Sequence, residues 1–127
     1  MDEQDRYEQG MMVRREVLGS TYVERTMQNQ NNFNERFQEF ITRYAWGEIW
    51  SHPGLPRHTR SLVTLALMVA LNREEEFRMH ILAARNNGVT EDEIQELLMH
   101  TAIYCGLPAA NNAFRWAQSA LQNEDQS

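Results

Sequence analysis

Cysteine and metal-binding patterns are scarce in this chain of 127 residues. One cysteine, Cys105, excludes an intramolecular disulfide and any CxxC redox or zinc motif. It has no charged helper nearby in sequence, so we expect a small buried residue rather than a nucleophile. The four histidines show no HxxxH or HExxH spacing, and no glycine-rich phosphate loop or GxSxG motif is present. The sequence therefore predicts no metal site.

Positive charge and long apolar runs are also limited. The net charge of −6 argues against nucleic acid as a partner, because phosphate binding needs a concentrated positive surface. Local arginines can still bind a small anion. The longest uncharged apolar run, residues 61–72, is about half of a membrane span, and the acidic N-terminus is unlike a secretory signal. We expect a cytoplasmic protein with no membrane partner.

Apolar residues recur at helical spacing along nearly the whole chain, and no strand pattern interrupts them. Thr90 with Glu93 forms a capping-box pattern, and Asn32 with Glu35 resembles one. Such signals divide the chain into helices over about residues 2–18, 20–27, 32–44, 56–71, 73–87, 90–104 and 108–121, with a polar tail from about 122. The sequence predicts a single all-α domain over residues 1–127, with five to seven helices.

The helix predicted over residues 56–71 is charged only at its start, at Arg57, His58 and Arg60. The rest is apolar on all sides and must be covered by its own domain or by a second subunit, which favours an oligomer. Cations at a helix start oppose the helix dipole. Either a bound anion or ion pairs with the acidic surface would explain them, and both alternatives stay open.

His80 lies in the middle of its predicted helix, on the apolar face. It shares a stripe with Arg73 and Glu76, although a solvated helix face would produce the same two residues. His80 is either a core histidine with satisfied nitrogens or a proton donor or acceptor with the near-neutral pKa that suits imidazole. Arg85, five positions later, either contacts a ligand or serves as a favourable cation at the helix end.

Glu48 lies between Trp46 and Trp50, two residues from each. One interpretation is a surface carboxylate beside aromatic anchors. The other is a partly desolvated carboxyl group that acts as a general acid or base.

Four segments in order, YAWGEIWSHPGL, TRSLVTLALMVAL, MHILAARNNGVTEDEI and YCGLPAANNAF, resemble the carboxymuconolactone decarboxylase family. The resemblance implies the all-α fold of alkylhydroperoxidase D proteins and assembly as a trimer or hexamer. The redox members of that fold carry a CxxC pair before a histidine. Here His80 matches that histidine, but Arg73 and Glu76 occupy the cysteine positions, so thiol peroxidase chemistry is not supported. Many relatives read R-E-L where this chain has Arg60-Ser61-Leu62, which removes one acidic candidate.

The activity implied by the resemblance is that of a carboxy-lyase. It is the cofactor-independent decarboxylation of 4-carboxymuconolactone to 3-oxoadipate enol-lactone, in the β-ketoadipate pathway of protocatechuate catabolism. The substrate is a small dicarboxylate lactone that provides its own electron sink, so no cofactor is expected. Two alternatives are a decarboxylase or lactone enzyme with another substrate, and a non-catalytic helical oligomer that binds an acidic metabolite.

For such a reaction we hypothesise a division of roles among the candidate residues. His80 and Glu48 would be catalytic, with His80 either stabilising the charge on the lactone oxygen or protonating carbon. The substrate would be bound by the remaining candidates, namely Arg57, Arg60, Arg85, Trp46 and Trp50.

Overall fold

The computed structural model describes the backbone of residues 1–126 and the side chains of residues 1–123. Within these residues the chain forms seven α-helices, one π-helix and no strand, so the all-α prediction is confirmed. The chain divides into two compact units, Met1–Pro56 and Arg57–Ser127. No described helix is long and apolar enough to cross a membrane. The single domain over residues 1–127 stays a prediction.

The first unit contains α1 (Glu3–Leu18), α2 (Ser20–Gln28), α3 (Glu35–Phe40) and a π-helix (Ile41–Trp50) that follows α3 directly. Asp2 caps α1, since its side chain accepts a hydrogen bond from the Asp5 amide at 2.8 Å. Gly19 separates α1 from α2 with a φ of 92°, a conformation that side chains disfavour. These local signals explain why both helix boundaries agree with the sequence pattern.

Glycines allow α1 to cross the π-helix at very short range. A Cβ atom on Gly10 would lie 1.9 Å from the Thr42 carbonyl oxygen, and one on Gly47 would lie 2.6 Å from the Arg6 carbonyl oxygen. Both distances are far below van der Waals contact. The two helices therefore pack backbone against backbone, which only glycine permits at these two positions.

The start of α3 differs from the prediction. The expected capping box between Asn32 and Glu35 is absent, because Asn34 is the N-cap residue and its side chain makes no capping bond. The Asn31 side chain instead accepts hydrogen bonds from the amides of Phe33 and Asn34, at 2.9 and 3.1 Å. A turn centred on Asn31 therefore replaces the predicted cap.

The second unit contains α4 (Arg57–Leu71), α5 (Glu74–Asn86), α6 (Glu91–Cys105) and α7 (Leu107–Gln126). The predicted capping box at the start of α6 is confirmed, with both of its hydrogen bonds present. The polar tail expected from about residue 122 continues as helix to residue 126, and residue 127 lies outside the described part. The four helices enclose one apolar core, formed by Leu65, Val69, Phe77, Ile81, Ala84, Val89, Ile94, Leu98, Ala113, Trp116, Ala117 and Ala120.

The helix α4 is covered on one side only. Leu65 and Val69 are buried, whereas Val63, Leu67 and Leu71 are 47%, 51% and 58% exposed. These three residues recur every fourth position and form one stripe, which we call the α4 face. Within the described residues the chain itself does not cover this stripe, and coverage by a second subunit stays a prediction.

Candidate active site

His80 is a buried residue of α5, on the face that carries Phe77, Ile81 and Ala84. It is 9% exposed. Burial lowers its pKa to about 4, and the charge of Glu76 opposes this shift only in part. This pKa lies below the near-neutral range on which the proton-transfer alternative for His80 depends. At neutral pH the imidazole is uncharged, so it has one N–H to donate and one nitrogen to accept.

The basic start of α4 is tied to the start of α6. The Nε2 atom of His58 lies 2.9 and 3.0 Å from the two carboxylate oxygens of Glu93. A hydrogen bond from the Thr90 amide and this contact with His58 lower the pKa of Glu93, the amide bond contributing most. His58 thus contacts the acidic surface of α6. Arg57 and Arg60, which lie in the same first turn, are half-buried.

A second link joins α4 to the end of α5. The side-chain amide of Asn87 donates to Ser61 Oγ at 3.0 Å, and Ser61 is fully buried. Arg85, two residues earlier, donates to the Val89 carbonyl at 2.8 Å, as expected of a cation at a helix end. Because Ser61 follows Arg60 directly, Arg60 and Arg85 lie at the same end of the α4–α5 pair. Sequence reasoning missed Asn87, whose position before a glycine indicates only a helix end.

The π-helix carries the aromatic candidates. The rings of Trp46 and Trp50 lie 5.2 Å apart between centroids, and Trp46 is 5% exposed. Glu48 has a half-exposed side chain that accepts a 2.5 Å hydrogen bond from Arg6 Nε. Arg6 also pairs with Glu3. Sequence reasoning missed Arg6, because 42 positions separate it from Glu48 and no local pattern connects them.

The predicted stripe of charged residues before His80 lies on the solvated side of α5. Arg73, the N-cap residue of this helix, and Glu76 are both exposed. Cys105 is half-buried at the edge of the apolar core. Among the described residues, no group of three or more histidine, cysteine, aspartate or glutamate side chains could hold a metal ion.

A cavity of about 660 Å³ opens between α4 and α6 and contains none of the predicted site residues. Leu62, Val63, Ala66 and Leu97 contribute its apolar lining. Its charged lining consists of the three carboxylates Asp92, Glu93 and Glu96, beside His100. The three carboxylates disfavour a dicarboxylate ligand in this cavity. The arginines and His80 remain the better candidates in the second unit, and Trp46, Glu48 and Trp50 in the first.

Comparisons with known proteins identify the family of this chain. Residues 35–119 match the model of the carboxymuconolactone decarboxylase family. The chain is 55% identical to 4-carboxymuconolactone decarboxylase of Acinetobacter baylyi, over 97% of this chain and 92% of that protein. It is 43% identical to nitrosuccinic acid decarboxylase of Metarhizium robertsii, over 92% and 82% of the two chains. A 4-carboxymuconolactone decarboxylase sequence of Pseudomonas putida is 54% identical, over 38% of this chain and all of that sequence. This chain belongs to the carboxymuconolactone decarboxylase family.

Proposed function

We propose that this chain is a carboxy-lyase that converts 4-carboxymuconolactone to 3-oxoadipate enol-lactone and CO2. The observation that carries the proposal is the 55% identity to the Acinetobacter baylyi enzyme over 97% of the chain. A buried, uncharged histidine in a family of decarboxylases adds a chemical reason. The same proposal places the protein in the cytoplasm, in protocatechuate catabolism.

The substrate provides its own electron sink. When the C–CO2 bond breaks, its electron pair moves through the ring alkene into the lactone carbonyl and forms a dienolate. Protonation at carbon then gives the enol-lactone, so one proton is taken up for each CO2 released. The protein has to bind two carboxylates, stabilise the dienolate oxygen and allow protonation at carbon.

His80 would stabilise the dienolate. With a pKa of about 4, it is a neutral imidazole at pH 7 and donates an N–H hydrogen bond without carrying an extra proton. A neutral donor in a buried site stabilises charge that develops on oxygen, and it avoids protonating the substrate carboxylate. Of the two roles considered for His80, hydrogen-bond donation is therefore favoured over proton delivery by an imidazolium.

The two substrate carboxylates would have different surroundings. Cations would bind one of them, and apolar side chains would surround the one that leaves as CO2. Arg57, Arg60 and Arg85 would bind the side-chain carboxylate, which arginine recognises through paired N–H donors. The packed rings of Trp46 and Trp50 would face the departing carboxylate, whose charge they solvate poorly. The two links at the start of α4, His58–Glu93 and Asn87–Ser61, hold the basic turn in place.

Glu48 would act as a general acid or base in the reaction. Its carboxylate already accepts a hydrogen bond from Arg6, which fixes one of its oxygens. The other oxygen has lone pairs for a second partner.

Assembly as a homo-oligomer, either a trimer or a hexamer, belongs to the same proposal. The α4 face exposes three large apolar residues in one stripe, as expected of a surface that a second subunit covers. Light scattering of the purified protein coupled to size exclusion measures the mass directly. Leu67→Glu is expected to reduce that mass, whereas Ile49→Glu, at a similarly exposed residue of the first unit, serves as its control.

The test of function is CO2 release from 4-carboxymuconolactone by purified, chelator-treated protein. We expect turnover above the spontaneous rate, with a fall in kcat of about 100-fold or more for His80→Gln, the usual effect of losing one oxyanion donor. His100→Gln, a change of an exposed histidine, is the matched control and should keep full activity. Absence of turnover by folded protein would refute the substrate assignment. Unchanged kcat in His80→Gln would remove His80 from the mechanism.

A second candidate substrate is nitrosuccinic acid, because the fungal relative at 43% identity is a nitrosuccinic acid decarboxylase. Both substrates are dicarboxylates with an electron sink, which is the lactone carbonyl in one and the nitro group in the other. Parallel measurements of kcat/KM on the two compounds decide between them. We expect the lactone to be preferred, and a higher kcat/KM on nitrosuccinate would reverse the assignment.

A further inference from the structure

The junction between α3 and the π-helix has an unusual set of hydrogen bonds. The helix changes there from i→i−4 to i→i−5 bonding without an intervening loop. The Ile41 amide donates to the carbonyls of both Phe37 and Gln38. The Thr42 hydroxyl also donates to the Gln38 carbonyl, at 2.8 Å. A side-chain hydroxyl thus contributes to satisfying the carbonyl at which the bonding pattern changes.

Arg14 of α1 binds this junction from the side. Its Nη1 atom donates to Thr42 Oγ1 at 3.2 Å, and its Nη2 atom donates to the Gln38 side-chain oxygen at 3.1 Å. Arg14 is only 5% exposed, and Thr42 is 1% exposed. The guanidinium therefore contacts, inside the first unit, the two residues that form the junction.

Stability alone does not account for a guanidinium in this place. Burial lowers the pKa of Arg14, and both of its acceptors are neutral oxygens. Its Nε atom is buried and makes no hydrogen bond within the described residues. An apolar side chain of similar length would avoid these desolvation costs. What the guanidinium adds over an apolar side chain is the pair of directed hydrogen bonds to Thr42 and Gln38.

The position of the junction determines where the tryptophans and Glu48 point. A shift of one residue in helical register rotates every later side chain by about 100° around the helix axis. Trp46 and Glu48 follow Thr42 by four and six residues. Reversion of the first π turn to α-helix would consequently turn both side chains away from their present directions.

We propose that Arg14 is a positioning residue, which holds the π-helical register of Ile41–Trp50 through Thr42 and Gln38 and so presents Trp46 and Glu48 to the reaction. The importance for catalysis rests on the proposed function, whereas the effect on register does not. Arg14 itself contacts neither Trp46 nor Glu48 through any of its hydrogen bonds.

The decisive variant is Thr42→Val, which removes the hydroxyl and keeps the shape. We expect amide hydrogen exchange over residues 45–50 to become at least about tenfold faster, because the variant loses both hydrogen bonds of the Thr42 hydroxyl, with exchange in α5 unchanged. We also expect kcat to fall about tenfold with little change in KM. Thr42→Ser restores the hydroxyl and should restore both values. Arg14→Met should reproduce the effects of Thr42→Val.

Thr26→Val is the matched control, because Thr26 makes the same type of hydroxyl-to-carbonyl bond, to Tyr22 at 3.1 Å, in the regular helix α2. It should leave residues 45–50 and kcat unchanged. Normal exchange over residues 45–50 in folded Thr42→Val would overturn the proposal, even if Arg14→Met failed to fold. Faster exchange with unchanged kcat would overturn the positioning role. If the wild-type protein does not turn over the lactone, the exchange measurement still decides whether Arg14 holds the register.

Discussion

The two units of this chain are stabilised by different kinds of contact. The second unit is built around a continuous apolar core, in which Phe77 packs edge-on against Trp116 at 5.9 Å. The first unit has few buried apolar side chains and relies on specific contacts, such as the close approach of Gly10 to the π-helix and the ion pair between Arg6 and Glu48. Apolar cores follow from periodic patterns in the sequence, whereas contacts of the second kind depend on individual residues far apart in the chain.

The largest expected effect tests the apolar core of the second unit. Phe77→Ala removes a fully buried ring, so it should lower the free energy of unfolding by about 3–5 kcal/mol. Urea unfolding combined with amide exchange in α5 and α7 measures this loss. Phe33→Ala, at a phenylalanine that is 98% exposed, should change stability by less than about 0.5 kcal/mol. If Phe77→Ala lowered the free energy of unfolding no more than Phe33→Ala does, burial of this ring would not stabilise the second unit.

The next largest effect concerns the protonation of the buried His80 side chain. Its folded pKa of about 4 lies below the ordinary value of 6.5, so between these values the unfolded chain binds a proton that the folded chain does not. Stability should therefore fall as the pH is lowered from about 6.5 to about 4, by about 3 kcal/mol in total from this group. Urea unfolding at a series of pH values measures how the free energy of unfolding changes with pH.

The control for this pH effect is His80→Gln, which does not titrate and should flatten the stability curve in that window. His100→Gln should retain the wild-type slope. If the free energy of unfolding changed equally with pH in the wild type and in His80→Gln, His80 would not be a buried neutral imidazole.

The smallest of the three expected effects concerns the crossing of α1 with the π-helix in the first unit. Gly10→Ala places a methyl group 1.9 Å from the Thr42 carbonyl oxygen, so α1 must move away from the π-helix. We expect a loss of about 1–3 kcal/mol, the usual cost of overpacking, with faster amide exchange over residues 41–50. Met12→Ala, at an exposed position of the same helix, should change neither quantity. Unaltered exchange in Gly10→Ala would mean that the first unit tolerates separation of these helices.

Much of the fold could be predicted because its signals are local. Thr90 and Glu93 are three residues apart and form their capping box as expected, and Asp2 and Gly19 mark the ends of α1. The π-helix could not be predicted, because the residues of α1 that contact it, such as Gly10 and Arg14, lie far away in the chain. The turn at Asn31 was missed because several asparagines in a row offer equivalent capping patterns.

For the candidate site residues, burial could be predicted from the sequence, whereas their pKa values and distant partners could not. The burial of His80 follows from its place on the apolar face of α5. The family follows from four sequence segments in order, and the comparisons confirm it. The pKa of His80 could not be read from the sequence, because the desolvation that lowers it depends on how tightly the helices pack around the ring. The partners Arg6 and Asn87 are separated from Glu48 and Ser61 by 42 and 26 positions, which no spacing rule connects.

The crossing of α1 with the π-helix has a consequence for protein engineering. The stretch that matches the family model, residues 35–119, includes the π-helix but lacks Arg6, Gly10 and Arg14, which contact it. That stretch is therefore unsuitable as a module for grafting onto another protein unless α1 accompanies it. Conversely, chimeras that exchange only α1 between relatives would alter the presentation of Trp46 and Glu48 while leaving every residue of the shared stretch untouched.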